Sequence, residues 1–255
     1  MTTGGSDSQS VKSDETLFAI VEAIKERERA GVTEIARSVD LAKSTVHKHL
    51  TALEQHGYVV NENGTYRLGL QFFSDGIDVR NQYDVFHAAK NRVDMLASET
   101  SEAVWLVVHE NGRLMFLHGS VNNNTFNSHA VVGQWKHLHS TSGGKAILAH
   151  LPEDVVHELT VERDLPSHTE NTITDREELE ATLEEIRETG IAWNKKEDFK
   201  GVHAIAAPII LDGTPIGAIT IAGAASRLTE EYCATHLRDP LLEAVNDVEL
   251  RLAYD

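Results

Sequence analysis

Two clusters of residues in this chain have the types and spacing to bind other molecules. In the first, Lys43, Ser44, Thr45, His47, Lys48 and Thr51 fall along one short segment, and Arg67 follows. Lysine and arginine offer charged donors to anionic oxygens, while serine and threonine hydroxyls donate or accept. In the second, Ser142-Gly143-Gly144 precedes the apolar run Ala146-Ile147-Leu148-Ala149. That order suits a turn opening onto a helix N-terminus, whose unpaired N–H groups and partial positive charge can hold a carboxylate or phosphate. The loop is not a nucleotide-binding P-loop: His139 stands where its first glycine would be, and Ala146 follows Lys145 where Ser or Thr is needed. By itself, a Gly-Gly turn before a helix is more often structural.

The first cluster depends on a helix. Val46, Leu50 and Leu53 share one stripe at helical spacing, predicting a helix from about Lys43 to His56. Ser44, Lys48, Thr51 and Gln55 then point away from the core, and Lys43, Thr45 and His47 flank that outer face. His49 lies only about 60° from the stripe and belongs to the core edge. A shorter helix precedes it, with Thr33 as its expected N-cap and a tight turn over Ser38 to Leu41. Gly57 suits the left-handed position that ends a helix. Tyr58-Val59-Val60 and Thr65-Tyr66-Arg67-Leu68 read as a hairpin turning at Asn63-Gly64.

Together these are the parts of a winged helix-turn-helix, over residues 12–70. A helix fits the major groove of duplex DNA, where lysine reaches guanine acceptors or phosphate, and Ser and Thr bond either. Arg67 on the wing can hold a backbone phosphate. The same spacing also describes a small helical hairpin with an ordinary solvated face.

With 255 residues the chain is long enough for two domains. No apolar run approaches the roughly 18 residues that span a bilayer, and the start MTTGGSDSQS lacks a signal-peptide core, so the expectation is a cytoplasmic protein with no membrane partner. The single Cys233 excludes an internal disulfide framework and a cysteine-rich zinc site. The formal net charge is −17, of which residues 1–75 carry only −3, so most of the acid lies outside the proposed reading head. Such acidity with few lysines suits a halophilic, high-salt cytoplasm, although an ordinary acidic protein has it too. At about 1 M salt the Debye length is about 3 Å, which screens long-range repulsion from DNA. The same salt suppresses counterion release, so binding would lean on base contacts, shape and dimer symmetry.

Residues 1–11 are rich in Ser, Gly and Thr and are expected to be a disordered tail. Leu17, Ile20, Val21 and Ile24 mark a first scaffold helix from Asp14, and residues 71–83 read as a linker. A second domain, 84–255, opens with a helix capped by Asp84, with Phe86, Ala89, Val93 and Leu96 on one face. Strands Ala103–Val108 and Leu114–Leu117 follow, joined through Asn111-Gly112. Pro152 starts a short helix, and residues 165–174 form a loop. Thr174 and Glu177 have capping-box spacing ahead of a helix ended by Gly190. Strands Ala204–Leu211 and Pro215–Ala222 meet at Asp212-Gly213. Thr229 can cap a last helical region striped by Leu237, Leu241, Ala244, Val248 and Leu252, with Pro240 kinking it or opening its second piece. Mixed strands and helices make this part α+β.

At these motifs the chain resembles the isocitrate lyase regulator (IclR) family of transcription factors. Glu34-Ile35-Ala36, Lys43-Ser44-Thr45-Val46-His47-Lys48, Gly57-Tyr58-Val59 and Tyr66-Arg67-Leu68-Gly69 carry the likeness in the first domain. His137 to Ala149, Glu197 to Pro208 and Ile219 to Arg227 carry it in the second. The family usually has Arg where this chain has Lys48, which keeps the charge but loses the planar fork.

The resemblance implies a GAF/profilin-like α/β sensor domain for effector binding and oligomerisation. It also implies a homodimer or a dimer of dimers. Ser142, Gly143 and Gly144 would stand at the mouth of the effector pocket. The side chains that line it in carboxylate-binding relatives correspond here to Asn194, Ala204, Thr220 and Ala222. Polar groups are thinned at these positions, pointing to a different effector: a sugar, sugar acid, or aromatic or organic acid.

The expectation is therefore a DNA-binding regulator of a catabolic operon, with double-stranded operator DNA and a small metabolite as partners. An oligomeric scaffold with a sensor domain that binds nothing is the alternative. No enzyme is expected, since the chain has no GxSxG elbow, P-loop or dinucleotide GxGxxG motif, and no cofactor is expected either. His118, His129, His137, His139 and His203 are the imidazoles that invite a metal reading. Without an HExxH or Cys-Cys-His pattern they read as scattered surface or core histidines.

Overall fold

The computed structural model describes residues 11–121, 131–161 and 164–254. All of the expected disordered tail except Val11, the polar stretch Asn122-Asn123-Asn124, and His129 lie outside the described residues. The chain forms two compact units, Met1–Gln82 and Tyr83–Asp255.

The first unit runs α1 (Lys12–Arg27), β1 (Ala30–Gly31), α2 (Val32–Ser38), α3 (Lys43–Gln55), β2 (Val59–Glu62), β3 (Thr65–Leu68) and α4 (Gln71–Asn81). Ile20 and Ile24 of α1, Ile35 of α2, Val46 and Leu50 of α3, and Val59 and Tyr66 of the wing bury a common core. At about 1.5–3 kcal/mol for each large side chain, this stripe packing holds helices too short to persist alone. The sheet order is β1-β3-β2, all antiparallel.

Pairing of Ala30-Gly31 with the wing starts α2 at Val32, so Gly31 rather than Thr33 is its cap. The Gly31 N–H donates to the Glu34 carboxylate at 2.7 Å. α3 ends in a Schellman turn, with Tyr58 N–H donating to Leu53 O at 2.8 Å and Gly57 N–H to Glu54 O at 3.0 Å.

Residues 71–81 of the connector are helical. α4 buries no residue, so no apolar stripe announces it. The Tyr58 hydroxyl donates to Asp75 at 2.7 Å, and the Gln71 amide donates to the other oxygen of Asp75 at 2.7 Å. Gly69 is required ahead of it: a Cβ there would lie 2.0 Å from the Gly57 carbonyl oxygen.

The second unit is built on one antiparallel sheet in the order β6-β5-β4-β9-β8-β7. Its strands are β4 (Ala103–Glu110), β5 (Arg113–Val121), β6 (Trp135–His137), β7 (Ala192–Lys195), β8 (Val202–Leu211) and β9 (Thr214–Ala224). The turns Asn63-Gly64, Asn111-Gly112 and Asp212-Gly213 all have both residues at positive φ, between 49° and 89°, as two-residue hairpins with right-handed strand twist require.

Alternation along the strands divides the sheet's two faces. Val104, Leu106 and Val108 pack with α5 (Asp84–Thr100) and the C-terminal helix. Trp105, Val107, Ala204, Ala206 and Ala218 face the other way, into the cluster of α6 (Ser142–Leu148), α7 (Glu153–Val161) and α8 (Arg176–Thr189). The architecture is the α+β class expected.

Helix starts differ from the sequence reading by single residues. α5 follows Tyr83, with Asp84 inside its first turn, where its charge still complements the dipole. α8 is capped by Asp175, not Thr174: its carboxylate accepts the Glu178 N–H at 3.0 Å. Thr229 does accept the Tyr232 N–H, at 3.2 Å. The turn Glu230–Tyr232 widens into a π-helical segment, Cys233–Leu237, before α9 (Arg238–Tyr254). Pro240 has no N–H to return to His236, so it opens this second piece.

Candidate DNA-reading helix and effector cavity

On α3, Lys43, Ser44, His47, Lys48 and Thr51 are exposed, and Thr45 is half-buried beside them. His49 is also half-buried, at the core edge. Thr51 Oγ1 donates to the His47 carbonyl at 2.9 Å and lies 3.4 Å from His47 Nδ1, so these two side chains act as a pair. The N-cap of α3 is Ala42, which has no side-chain acceptor. The Lys43 and Ser44 amides therefore lack a side-chain cap, and uncapped amides at a helix N-terminus can hold a phosphate. The poor cap residue was the sequence signal for this, and the side-chain reading passed over it.

Arg67 is less free than its place on the wing suggests. Its Nε donates to Glu62 at 2.8 Å and its Nη1 to the Leu68 carbonyl at 3.2 Å, while Arg29 reaches the other Glu62 oxygen at 2.6 Å. The Arg67 hydrogen bond, with Arg29 adding, holds the Glu62 carboxyl below its usual range. The wing thus carries two arginines on one carboxylate. Arg29, far from Arg67 in sequence, went unnoticed there.

In the second unit a cavity of about 270 Å³ opens beside α6. Ser142, Gly143, Asn194, Ala204, Thr220 and Ala222 all line it. Gly144 does not: its N–H donates to Thr141 Oγ1 at 3.1 Å, and a Cβ there would lie 2.2 Å from the Leu138 carbonyl oxygen. It packs the loop, so one of the amides expected at the helix N-terminus is already used.

The polar residues at the cavity divide by what they already hold. Asn194 donates to the Ser140 carbonyl at 2.6 Å and accepts the Glu197 N–H at 3.0 Å, tying two wall segments together. Beneath them Lys145 Nζ meets Glu197 at 2.5 Å, and both side chains are buried. Burial lowers the Lys145 pKa, and the Glu197 charge opposes that shift. By contrast, Ser142 Oγ and Thr220 Oγ1 are buried at the cavity with no hydrogen-bond partner in the protein.

The remaining walls are mostly apolar. Trp105 meets Phe116 edge-on, with ring centres 5.7 Å apart, and Leu114, Val107 and Phe199 complete that side. Lys136 and Asp198 form an ion pair at 2.9 Å, and both line the cavity. Sequence reasoning missed these residues because strand alternation marked Trp105 and Val107 only as core.

The histidines are not all scattered. His118 pairs with Asp94 at 2.9 Å, and His203 bonds the Leu228 carbonyl at 2.8 Å. His137 and His139, however, gather with His168, at ring separations of 5.0 to 6.2 Å. Burial, ahead of any other cause, pushes the His139 pKa down to about 4.

A winged helix-turn-helix with outward donors, in one chain with an α+β unit holding a ligand-sized cavity, defines the class of ligand-responsive DNA-binding regulators. Residues 16–62 match the IclR helix-turn-helix domain, and residues 78–250 match the bacterial transcriptional regulator IclR C-terminal domain. The chain belongs to the IclR family of transcriptional regulators. It is 30% identical to a probable HTH-type transcriptional regulator, ArcR, of Halobacterium salinarum over 91% of this chain and 90% of that one. It is 32% identical to a glycerol operon regulatory protein of Streptomyces coelicolor, over 89% of each chain. The crystal structure of the Thermotoga maritima IclR superposes with a TM-score of 0.79 at 27% identity, covering 95% of this chain and 98% of that one.

Proposed function

We propose that this regulator reads a palindromic operator beside catabolic genes through Lys43, Ser44, Thr45, His47, Lys48 and Thr51, with Arg67 on a flanking phosphate. Its cavity takes an aromatic acid, and occupancy shifts a homodimer, or a dimer of dimers, between operator-competent and incompetent arrangements. A ligand can do this only through its difference in affinity for the two states.

The chemistry of the cavity wall carries the effector reading. Trp105, Phe116, Leu114 and Val107 offer apolar surface, and Ser142 and Thr220 offer the only two buried hydroxyls without a partner among the described residues. A sugar buried there would leave several hydroxyls unpaired, at about 1–3 kcal/mol each. A flat ring with one or two polar substituents matches the wall, and a carboxylate that reaches Lys136 competes there with its ion-pair partner Asp198. The acidity and the haloarchaeal relative support a high-salt cytoplasm as the working environment.

The test is genome-wide occupancy of the tagged protein, at the cell's own salt concentration, with and without aromatic acids and sugar acids as carbon source. A few palindromic sites beside catabolic genes, responding to an aromatic acid, are the expected result. Diffuse occupancy under every condition defeats the operator reading; a response to sugar acids alone defeats the effector reading.

A further inference from the structure

The histidine cluster is not part of the cavity wall and has no role in the reading above. His137 is the last residue of β6, and His168 sits on the loop before α8. His137 Nδ1 and His168 Nε2 are 3.0 Å apart, sharing one hydrogen between two imidazoles. We propose that these two nitrogens form a cis chelate for a divalent transition metal that takes ligands near 90°, namely Cu²⁺ or Ni²⁺.

The spacing selects the geometry. With metal–nitrogen bonds of about 2.0–2.1 Å, nitrogens at a tetrahedral angle stand about 3.3 Å apart, whereas at 90° they stand about 2.9 Å apart. The observed 3.0 Å fits the right-angled case, which is the preference of square-planar or tetragonal copper and nickel rather than tetrahedral zinc. The metal takes the place of the shared hydrogen. Whichever ring donates the shared hydrogen moves that proton to its other nitrogen, so both rings stay neutral and present lone pairs.

The backbone that carries both ligands is held in advance. The Ser140 and Thr141 hydroxyls donate to the His137 carbonyl at 3.4 and 3.3 Å. Thr172 Oγ1 accepts the His168 backbone N–H at 3.0 Å and donates to the Glu197 backbone carbonyl at 2.6 Å. Thr169 Oγ1 donates to the Lys196 carbonyl at 2.7 Å. His139 is a packing neighbour: its Nε2 faces the Pro166 carbonyl at 3.1 Å, and its ring stacks on His168. Among the described residues no group of three His, Cys, Asp or Glu is placed to hold a metal, so water completes this two-histidine site. His168 is exposed, which gives the ion a path.

The test titrates CuCl₂ into the full chain, free of any affinity tag, in a non-coordinating buffer at pH 7.5, read by electron paramagnetic resonance and calorimetry. The expected result is one equivalent per chain with two equatorial nitrogens. His168→Gln and His137→Gln should each weaken that step by more than the roughly 10- to 100-fold that loss of an outer-shell partner costs. His150→Gln, outside the cluster, should leave it unchanged. Melting temperatures without metal check folding, and the exposed position of His168 makes that variant decisive should His137→Gln fail to fold. Copper binding that is equal in His168→Gln and the parent, or a spectrum without two equatorial nitrogens, overturns the proposal.

Discussion

Replacing Thr220 by Val should stabilise the protein and weaken its effector response together. Thr220 lies on β9, is 6% exposed, and has a hydroxyl with no partner at the cavity wall. Valine keeps the branched shape and removes the orphaned oxygen, whose burial costs about 1–3 kcal/mol. A domain of this size gains about 2–4 °C for each kcal/mol, so the melting temperature of the unliganded protein should rise by about 2–12 °C. An effector that bonds this hydroxyl relieves the same penalty on binding. Its affinity should therefore fall by about 5- to 150-fold. Scanning fluorimetry measures the first quantity, and calorimetry with benzoate and its monohydroxy derivatives measures the second. An unchanged or lower melting temperature, or an unaltered affinity for every acid that binds the parent, refutes the reasoning.

Three other perturbations probe the reading helix, the buried ion pair and the histidine cluster. Lys48→Ala and Ser44→Ala should weaken operator binding with oligomeric state unchanged, and Lys48→Ala should reduce the salt slope by about one phosphate contact; identical footprints remove the assignment of α3. Lys145→Met should cost about 3–5 kcal/mol in urea unfolding, because it leaves the buried Glu197 carboxylate without its ion-pair partner, and the further change Glu197→Gln should recover part of that loss. His139 has a pKa of about 4 in the fold against 6.5 in the unfolded chain. The unfolded state therefore binds more protons between these values, and stability is lost as pH falls from about 6.5 to about 4, by up to about 3 kcal/mol. His139→Phe should flatten that slope in unfolding curves taken across the same window; an unchanged slope assigns the pH dependence elsewhere.

Elements that bury a stripe or turn on an Asn-Gly or Asp-Gly pair were legible in the sequence. The stripe Val46, Leu50 and Leu53 located α3, and Asp212-Gly213 located the β8–β9 hairpin. Elements without such a signal were not. α4 buries nothing, β6 is a three-residue edge strand, and Ala192-Trp193-Asn194-Lys195 is too short to show alternation. At α8 the cap shifted by one residue, because Thr174 and Asp175 stood side by side as candidate acceptors, whereas α5 starts after Tyr83 with no side-chain cap at all. In the cavity, motif alignment brought together six positions on four different elements, but it could not show that Asn194 was already committed or that Ser142 and Thr220 were not. Nor does spacing bring His137 beside His168, since that contact is made by a loop folding across the sheet edge.

The central claim is that an occupant of this cavity controls the hold of α3 on DNA. Its most direct test is operator affinity of the full chain with and without a saturating aromatic acid, in the parent and in Ala204→Leu. Ala204 lines the cavity on β8, and leucine there fills space that a ring would occupy. The account predicts that the acid changes the operator affinity of the parent, while Ala204→Leu binds operator normally and ignores the acid. An equal response in both proteins would contradict it.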